Sequence, residues 1–219
     1  MIKKIAVVLS GCGVYDGSEI HEAVLTMLAL DRAGAEIVCA APDVEQAHVV
    51  NHRTGDVAAG EKRNVLVESA RIARGKIVDL RELHAGDIDA AIFPGGFGAA
   101  KNLSDYAFKG AAMTVRPEVE RFIREVHAAK KPLGFVCIAP VLAAKLLGGE
   151  QPTLTIGTDA ATAGDLEACG ARHRNTRVDE VVVDDARRVV TTAAYMLAGR
   201  ISEAAAGIDK LVHAVLRMA

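Results

Sequence analysis

Short aliphatic runs alternating with amphipathic stretches set the rhythm of this chain. Ile5–Leu9, Ile37–Ala41, Ile88–Phe93 and Pro132–Val136 are bounded by Gly, Pro or Ser, as strands buried on both faces are. Leu154–Gly157 predicts a further strand, and Val181–Asp184 with Val189–Thr192 predicts a hairpin. Between them, Ser18 is placed to cap a helix over Glu19–Arg32, with Ile20, Val24, Met27 and Leu28 as its apolar stripe and Gly34 as its stop. Arg116–Ala129 and Pro140–Leu147 read as helices that take proline in their first turn. Another helix ends over Leu166–Gly170, and Ile201, Ala205, Ile208, Val212 and Val215 mark a packed C-terminal one. Residues 43–87 carry only short apolar pieces (Val49-Val50, Val65–Val67, Ile77–Leu80) and a hairpin-like His52-Arg53-Thr54-Gly55.

Strands alternating with helices, without repeat or linker, predict one α/β domain over residues 1–219: a doubly wound, flavodoxin-like sandwich with a mostly parallel sheet and helices on both faces. A length of 219 residues suits that count, since a domain averages about 150 residues. Lys3-Lys4 and Leu9-Ser10-Gly11-Cys12 imitate a lipoprotein signal, but the apolar run between them is too short, so a first strand is expected there.

Composition narrows the function. Lys and Arg number 26 against 28 Asp and Glu, so no basic field exists to hold a nucleic acid. No apolar stretch is long enough to cross a membrane. The four cysteines lack zinc-site spacing, so no metal is expected, and an unstapled aliphatic chain fits a reducing, cytoplasmic setting.

Ligands of open α/β sheets bind at the carboxyl ends of strands. Three such ends stand out. Gly11-Cys12-Gly13-Val14-Tyr15-Asp16-Gly17 is a relaxed dinucleotide fingerprint, but Asp16, Glu19 and Glu22 crowd the helix N-terminus where phosphates would sit, which favours a plain tight turn. Pro94-Gly95-Gly96-Phe97-Gly98 leaves backbone free of side chains. Phe135-Val136-Cys137-Ile138-Ala139-Pro140 puts a cysteine where a buried strand turns into a helix, whose N–H groups are expected to lower the thiol pKa. From spacing alone, a nucleophile and an inert buried thiol are equally good readings of Cys137, with Cys12 a second candidate.

The runs Ser10–Glu22, Phe93–Leu103, Gly134–Pro140 and Val190–Leu197 resemble the PfpI and Parkinson's-deglycase superfamily, which is class I glutamine amidotransferase-like, and the resemblance extends over essentially the whole chain. It implies a flavodoxin-like fold, a homodimer and a cysteine on the elbow, which maps onto Cys137. The partner acid maps onto Glu22, and the oxyanion donors onto the backbone N–H groups of Gly96 and Ile138. Many members carry a histidine about twenty residues after the cysteine; here residue 157 is glycine, leaving His52 and His21 as possible auxiliaries.

The activity so implied is a cofactor-independent glyoxalase that converts glyoxal or methylglyoxal, small aldehyde substrates, to glycolate or lactate through a cysteine hemithioacetal. Protein deglycation is a related possibility. The alternative is a redox-sensing or chaperone-like dimer using the same thiol, with an isoprenoid-linked metabolic role. A glutamine amidotransferase needs His-x-Glu behind its cysteine, and none of the seven histidines supplies it.

Overall fold

The structure, a computed structural model, describes residues 2–219. Nine strands and eight helices follow in order: β1 Lys4–Val8, α1 Ile20–Arg32, β2 Glu36–Ala41, α2 Val65–Ile72, β3 Ile77–Asp79, β4 Ala90–Phe93, α3 Phe97–Lys101, α4 Tyr106–Lys109, α5 Pro117–Ala128, β5 Leu133–Val136, α6 Pro140–Leu147, β6 Thr153–Leu154, α7 Ala160–Ala168, β7 Arg172–His173, β8 Val181–Asp184, β9 Val189–Thr192 and α8 Ile201–Met218. Seven strands form one sheet in the order β3-β2-β1-β4-β5-β9-β8. All of its pairings are parallel except β8 with β9. This is the flavodoxin-like sandwich the pattern predicts.

Alternation along the strands builds a core on each face. Ala6, Val8, Ala91, Phe93 and Phe135 point to one side, where Val119, Phe122 and Ile123 of α5 cover them. Phe93 and Phe135 stack with ring centroids 5.0 Å apart. Ile5, Val7, Ile92 and Val136 point to the other, under Ala23 and Leu30 of α1 and Ile208, Leu211 and Val212 of α8. Burying each such large side chain is worth about 1.5–3 kcal/mol. Between β1 and β4 the chain reverses its direction of travel across the sheet, which opens a crevice at the carboxyl ends of these strands.

Several expectations shift. In α1 it is Ala23, Thr26, Ala29 and Leu30 that are buried, whereas Ile20, Val24 and Leu28 are 41%, 45% and 39% exposed. Small residues let α1 approach α8 and the sheet closely, so the bulkier stripe is turned outward. The cap of α1 is Glu19, whose Oε2 accepts the Glu22 N–H at 2.7 Å. Ser18 is instead buried, its Oγ accepting the Ser10 N–H at 2.8 Å. Val65–Val67 opens α2, capped by the Asn64 side chain. His52-Arg53-Thr54 does turn a hairpin-like loop, closed by a Val50–Val57 bridge. The strand expected over Leu154–Gly157 shrinks to Thr153–Leu154, which pairs with β7 in a separate two-stranded sheet. Gly157 has φ +97°, and a Cβ there would lie 2.7 Å from Leu197, so the extended run stops before it. Among the described residues, no helix is long and apolar enough to cross a membrane.

Candidate active site

Four loops meet above the crevice: Gly11–Gly17 after β1, Gly95-Gly96 after β4, Cys137–Ala139 after β5, and Ala193–Tyr195 after β9. Strand β5 is fully buried, and the Cys137 N–H still follows it, donating to the Thr192 carbonyl at 2.9 Å. The chain then turns abruptly, because α6 begins at Pro140. Cys137 absorbs that turn with φ +61°, a left-handed conformation that costs a non-glycine residue strain. Ala139, fully buried, is small enough for the bend.

Gly95 shows why this site needs bare backbone. A Cβ there would lie 2.5 Å from Cys137 Cβ and 2.7 Å from Glu22 Oε2. Gly96 takes φ +93°, and a Cβ on it would lie 2.3 Å from the Glu19 nitrogen. The Gly95 carbonyl accepts the Glu19 N–H at 2.9 Å, which fixes the glycine pair to the start of α1. The N–H groups of Gly96 and Ile138 both reach the Cys137 sulfur.

Glu22 is wholly buried in the first turn of α1. Its Oε2 accepts the Gly95 N–H at 2.9 Å and its Oε1 accepts the Tyr195 N–H at 3.2 Å. The same carboxyl group interacts with the Cys137 side chain. Burial pushes the Glu22 pKa up to about 8; the Tyr195 N–H opposes the rise and the Glu19 charge adds to it. The Cys137 thiol also moves, but upward, against the expected lowering. Burial drives it first and the Glu22 charge second, and together they outweigh the Gly96 and Ile138 N–H groups. A helix terminus supplies only partial charges, whereas removing a thiolate from water costs more.

A cavity of about 390 Å³ opens over the sulfur, lined by Val14, Phe97, Tyr106 and Ile138, with Glu19, Asp159 and Tyr195 as its main polar groups. Among the described residues, no histidine or lysine lines it. His21 stands at its edge: Nδ1 shares a 2.8 Å hydrogen bond with the Tyr195 hydroxyl. His52 is placed elsewhere, against the glycine loop. Its Nε2 accepts the Tyr15 N–H at 3.2 Å, and its Nδ1 lies 3.0 Å from the Val50 carbonyl. A Cβ on Gly13 would strike that ring at 2.5 Å, and Asp16 Oδ2 accepts the Val50 N–H at 2.7 Å. The glycines of this loop therefore serve close packing. Cys12 lies outside the cavity lining, and burial raises its pKa. Among the described residues, no group of three or more His, Cys, Asp or Glu gathers as a metal seat.

Tyr195 and Asp159 went unnoticed in the sequence as cavity residues, and Glu19 figured there only as a charge crowding the N-terminus of α1. Tyr195 and Glu19 carried a signal, because they lie in the runs Val190–Leu197 and Ser10–Glu22 at the ends of buried strands, whereas Asp159 carried none.

A cysteine on a strained elbow, a buried acid against its sulfur and paired backbone donors above a parallel sheet define a class of α/β proteins built around one thiol. The chain belongs to the DJ-1/PfpI family, whose model matches residues 3–200. It is 51% identical to the human glutamine amidotransferase-like class 1 domain-containing protein 3, mitochondrial, over 98% of this chain and 83% of that protein. A solved isoprenoid biosynthesis protein with an amidotransferase-like domain, from Ehrlichia chaffeensis, superposes with a TM-score of 0.92 at 38% identity, covering 99% of both chains. Glyoxalase III of Candida albicans shares the fold, with a TM-score of 0.64 at 14% identity over 97% of both chains. The human relative's mitochondrial name does not match the cytoplasmic expectation.

Proposed function

We propose that the protein is a cofactor-independent glyoxalase acting on small, uncharged α-oxoaldehydes. The observation that carries this reading is the buried Glu22 carboxyl set against the Cys137 sulfur, with the Gly96 and Ile138 N–H groups aimed at the same point. The sulfur adds to the aldehyde carbon while its proton passes to Glu22, and the two N–H groups receive the developing oxyanion. Glu22 then moves a proton between the adjacent carbons, and water releases the hydroxy acid. Glyoxal gives glycolate and methylglyoxal gives lactate, with no external oxidant or reductant. Because both groups are pushed upward, the competent state holds one proton shared by the pair, and turnover rises as the pH approaches about 8.

A cavity of about 390 Å³ without a cation in its lining favours neutral substrates and leaves space for an apolar arm. The redox-sensing alternative uses the same thiol and differs in predicting negligible turnover. The sequence runs also resemble ElbB, the isoprenoid biosynthesis glyoxalase, and the name of the Ehrlichia protein supports an isoprenoid-linked setting. A homodimer belongs to the same reading. Ile20, Val24 and Leu28, exposed at i, i+4 and i+8 on α1, offer a stripe on which a second copy of this chain packs about a two-fold axis.

The test is product formation from glyoxal without glutathione or metal. Cys137→Ala and Glu22→Gln, checked for folding, should each abolish glycolate. Unchanged production by Cys137→Ala would sink the reading.

A further inference from the structure

Moving a proton from one carbon to its neighbour needs more than one acid or base, because the second carbonyl oxygen also changes its proton. Glu22 serves the carbons, and the Gly96 and Ile138 N–H groups serve the oxygen on the carbon that sulfur attacks. Among the described residues, no histidine lines the cavity to attend the other oxygen. Tyr195 does line it. This side chain is placed with care: it follows the fully buried β9, and Ala194 before it takes a left-handed φ of +41°. Its backbone N–H holds Glu22 Oε1, and its hydroxyl meets His21 Nδ1 at 2.8 Å, with ring centroids 5.8 Å apart. His21 is exposed and immediately precedes Glu22 on α1.

We propose that the Tyr195 hydroxyl, oriented by His21, is the catalytic acid–base for the substrate's second carbonyl oxygen. The proposal rests on the glyoxalase reading. With a proton on Nδ1, His21 donates to the phenol oxygen and leaves the phenolic hydrogen free to turn into the cavity. Once the sulfur–carbon bond has formed and the attacked oxygen is protonated, the Glu22 carboxylate removes the hydrogen of that carbon as a proton. The freed pair becomes a carbon–carbon double bond, the second carbonyl's π pair moves onto its oxygen, and that oxygen takes the phenolic proton. The enediol then collapses. The phenolate recovers a proton from the first hydroxyl, which becomes the thioester carbonyl, and the double-bond pair takes the Glu22 proton at the second carbon. Tyr195 and Glu22 end as they began, and water cleaves the thioester. Burial and the neighbouring Glu19 and Glu22 charges raise the phenol pKa, so Tyr195 waits in the protonated form this role needs. His21, which does not reach the reacting atoms, is a positioning residue that supports the transient phenolate.

The experiment compares Tyr195→Phe, His21→Ala, His21→Asn and Cys137→Ala, using methylglyoxal turnover, C1-deuterated glyoxal and the rate of Cys137 alkylation by iodoacetamide. Tyr195→Phe keeps the ring and the backbone N–H on Glu22. Its kcat should fall about 100-fold, the usual worth of a placed proton donor. KM and alkylation rate should stay within about twofold and the deuterium effect should grow, since proton transfer becomes limiting. His21→Ala should follow it, His21→Asn should recover part of the loss through its amide N–H, and Tyr195→Phe with His21→Ala should be no worse than Tyr195→Phe alone. A Tyr195→Phe kcat within threefold of the parent, or a parallel fall in alkylation, overturns the proposal. Retained turnover in Cys137→Ala is a separate outcome that removes the glyoxalase reading and this proposal with it.

Discussion

Replacing Glu22 by Gln should remove most of the pH dependence of stability that this carboxyl imposes. A carboxyl whose folded pKa is raised binds more protons in the native state than in the unfolded one. Its contribution therefore favours folding fully below about pH 4.5 and is lost as the pH rises through about 8. Between pH 5 and pH 9, moving the pKa from 4.5 to about 8 integrates to about 4 kcal/mol of lost stability. Glu22 is fully buried, so solvent screening does not reduce this figure as it would at the surface. Glutamine keeps the shape but has one acceptor oxygen where Gly95 and Tyr195 each present an N–H. That mismatch costs about 1–3 kcal/mol at every pH, which lowers the curve without tilting it. Urea unfolding followed by circular dichroism at unit pH steps, with parent and variant compared at each, cancels the other titrating groups. The parent should lose about 4 kcal/mol more than the variant from pH 5 to pH 9. Parallel profiles would refute the assignment of a raised pKa to Glu22.

Gly95→Ala should damage both stability and thiol chemistry, because its methyl group meets Cys137 Cβ, Glu22 Oε2 and the Val136 carbonyl within 2.9 Å. A loss of about 1–3 kcal/mol in urea unfolding is expected, with a changed alkylation rate at Cys137; Gly149→Ala, with nothing within 4 Å, should do neither. Val24→Glu places a charge in the middle of the exposed α1 stripe and should convert a dimer to a monomer in sedimentation at constant glyoxalase activity; a parent that is already monomeric removes the homodimer.

The elbow was legible because its causes are local. A buried run ending in Cys137-Ile138-Ala139-Pro140 announces a strand, a tight turn and a helix start, and Gly95-Gly96 announces backbone that must stand clear of side chains. The resemblance added Glu22, which hydropathy alone would leave on a solvated first turn. Other readings failed for reasons that no window of sequence contains. The Ile20, Val24 and Leu28 stripe has helical spacing whether it faces the sheet or the solvent, and the choice was made by how closely α1 can approach α8.

By itself, the sequence determined the alternation of strands and helices, the parallel sheet they must form, and the strand ends where chemistry could occur, since all of these follow from periodicity and turn residues. Only the tertiary structure decided which loops meet. Strand β9 lies beside β5, so Tyr195 reaches a carboxyl group 173 positions away. It also decided the direction of the Cys137 shift. A helix terminus visible in the sequence argues for a lower pKa, whereas burial and a facing carboxyl, which exist only once the chain has folded, push it up. Electrostatics in an interior depend on what surrounds a group in three dimensions, and neighbours along the chain supply only part of that surrounding.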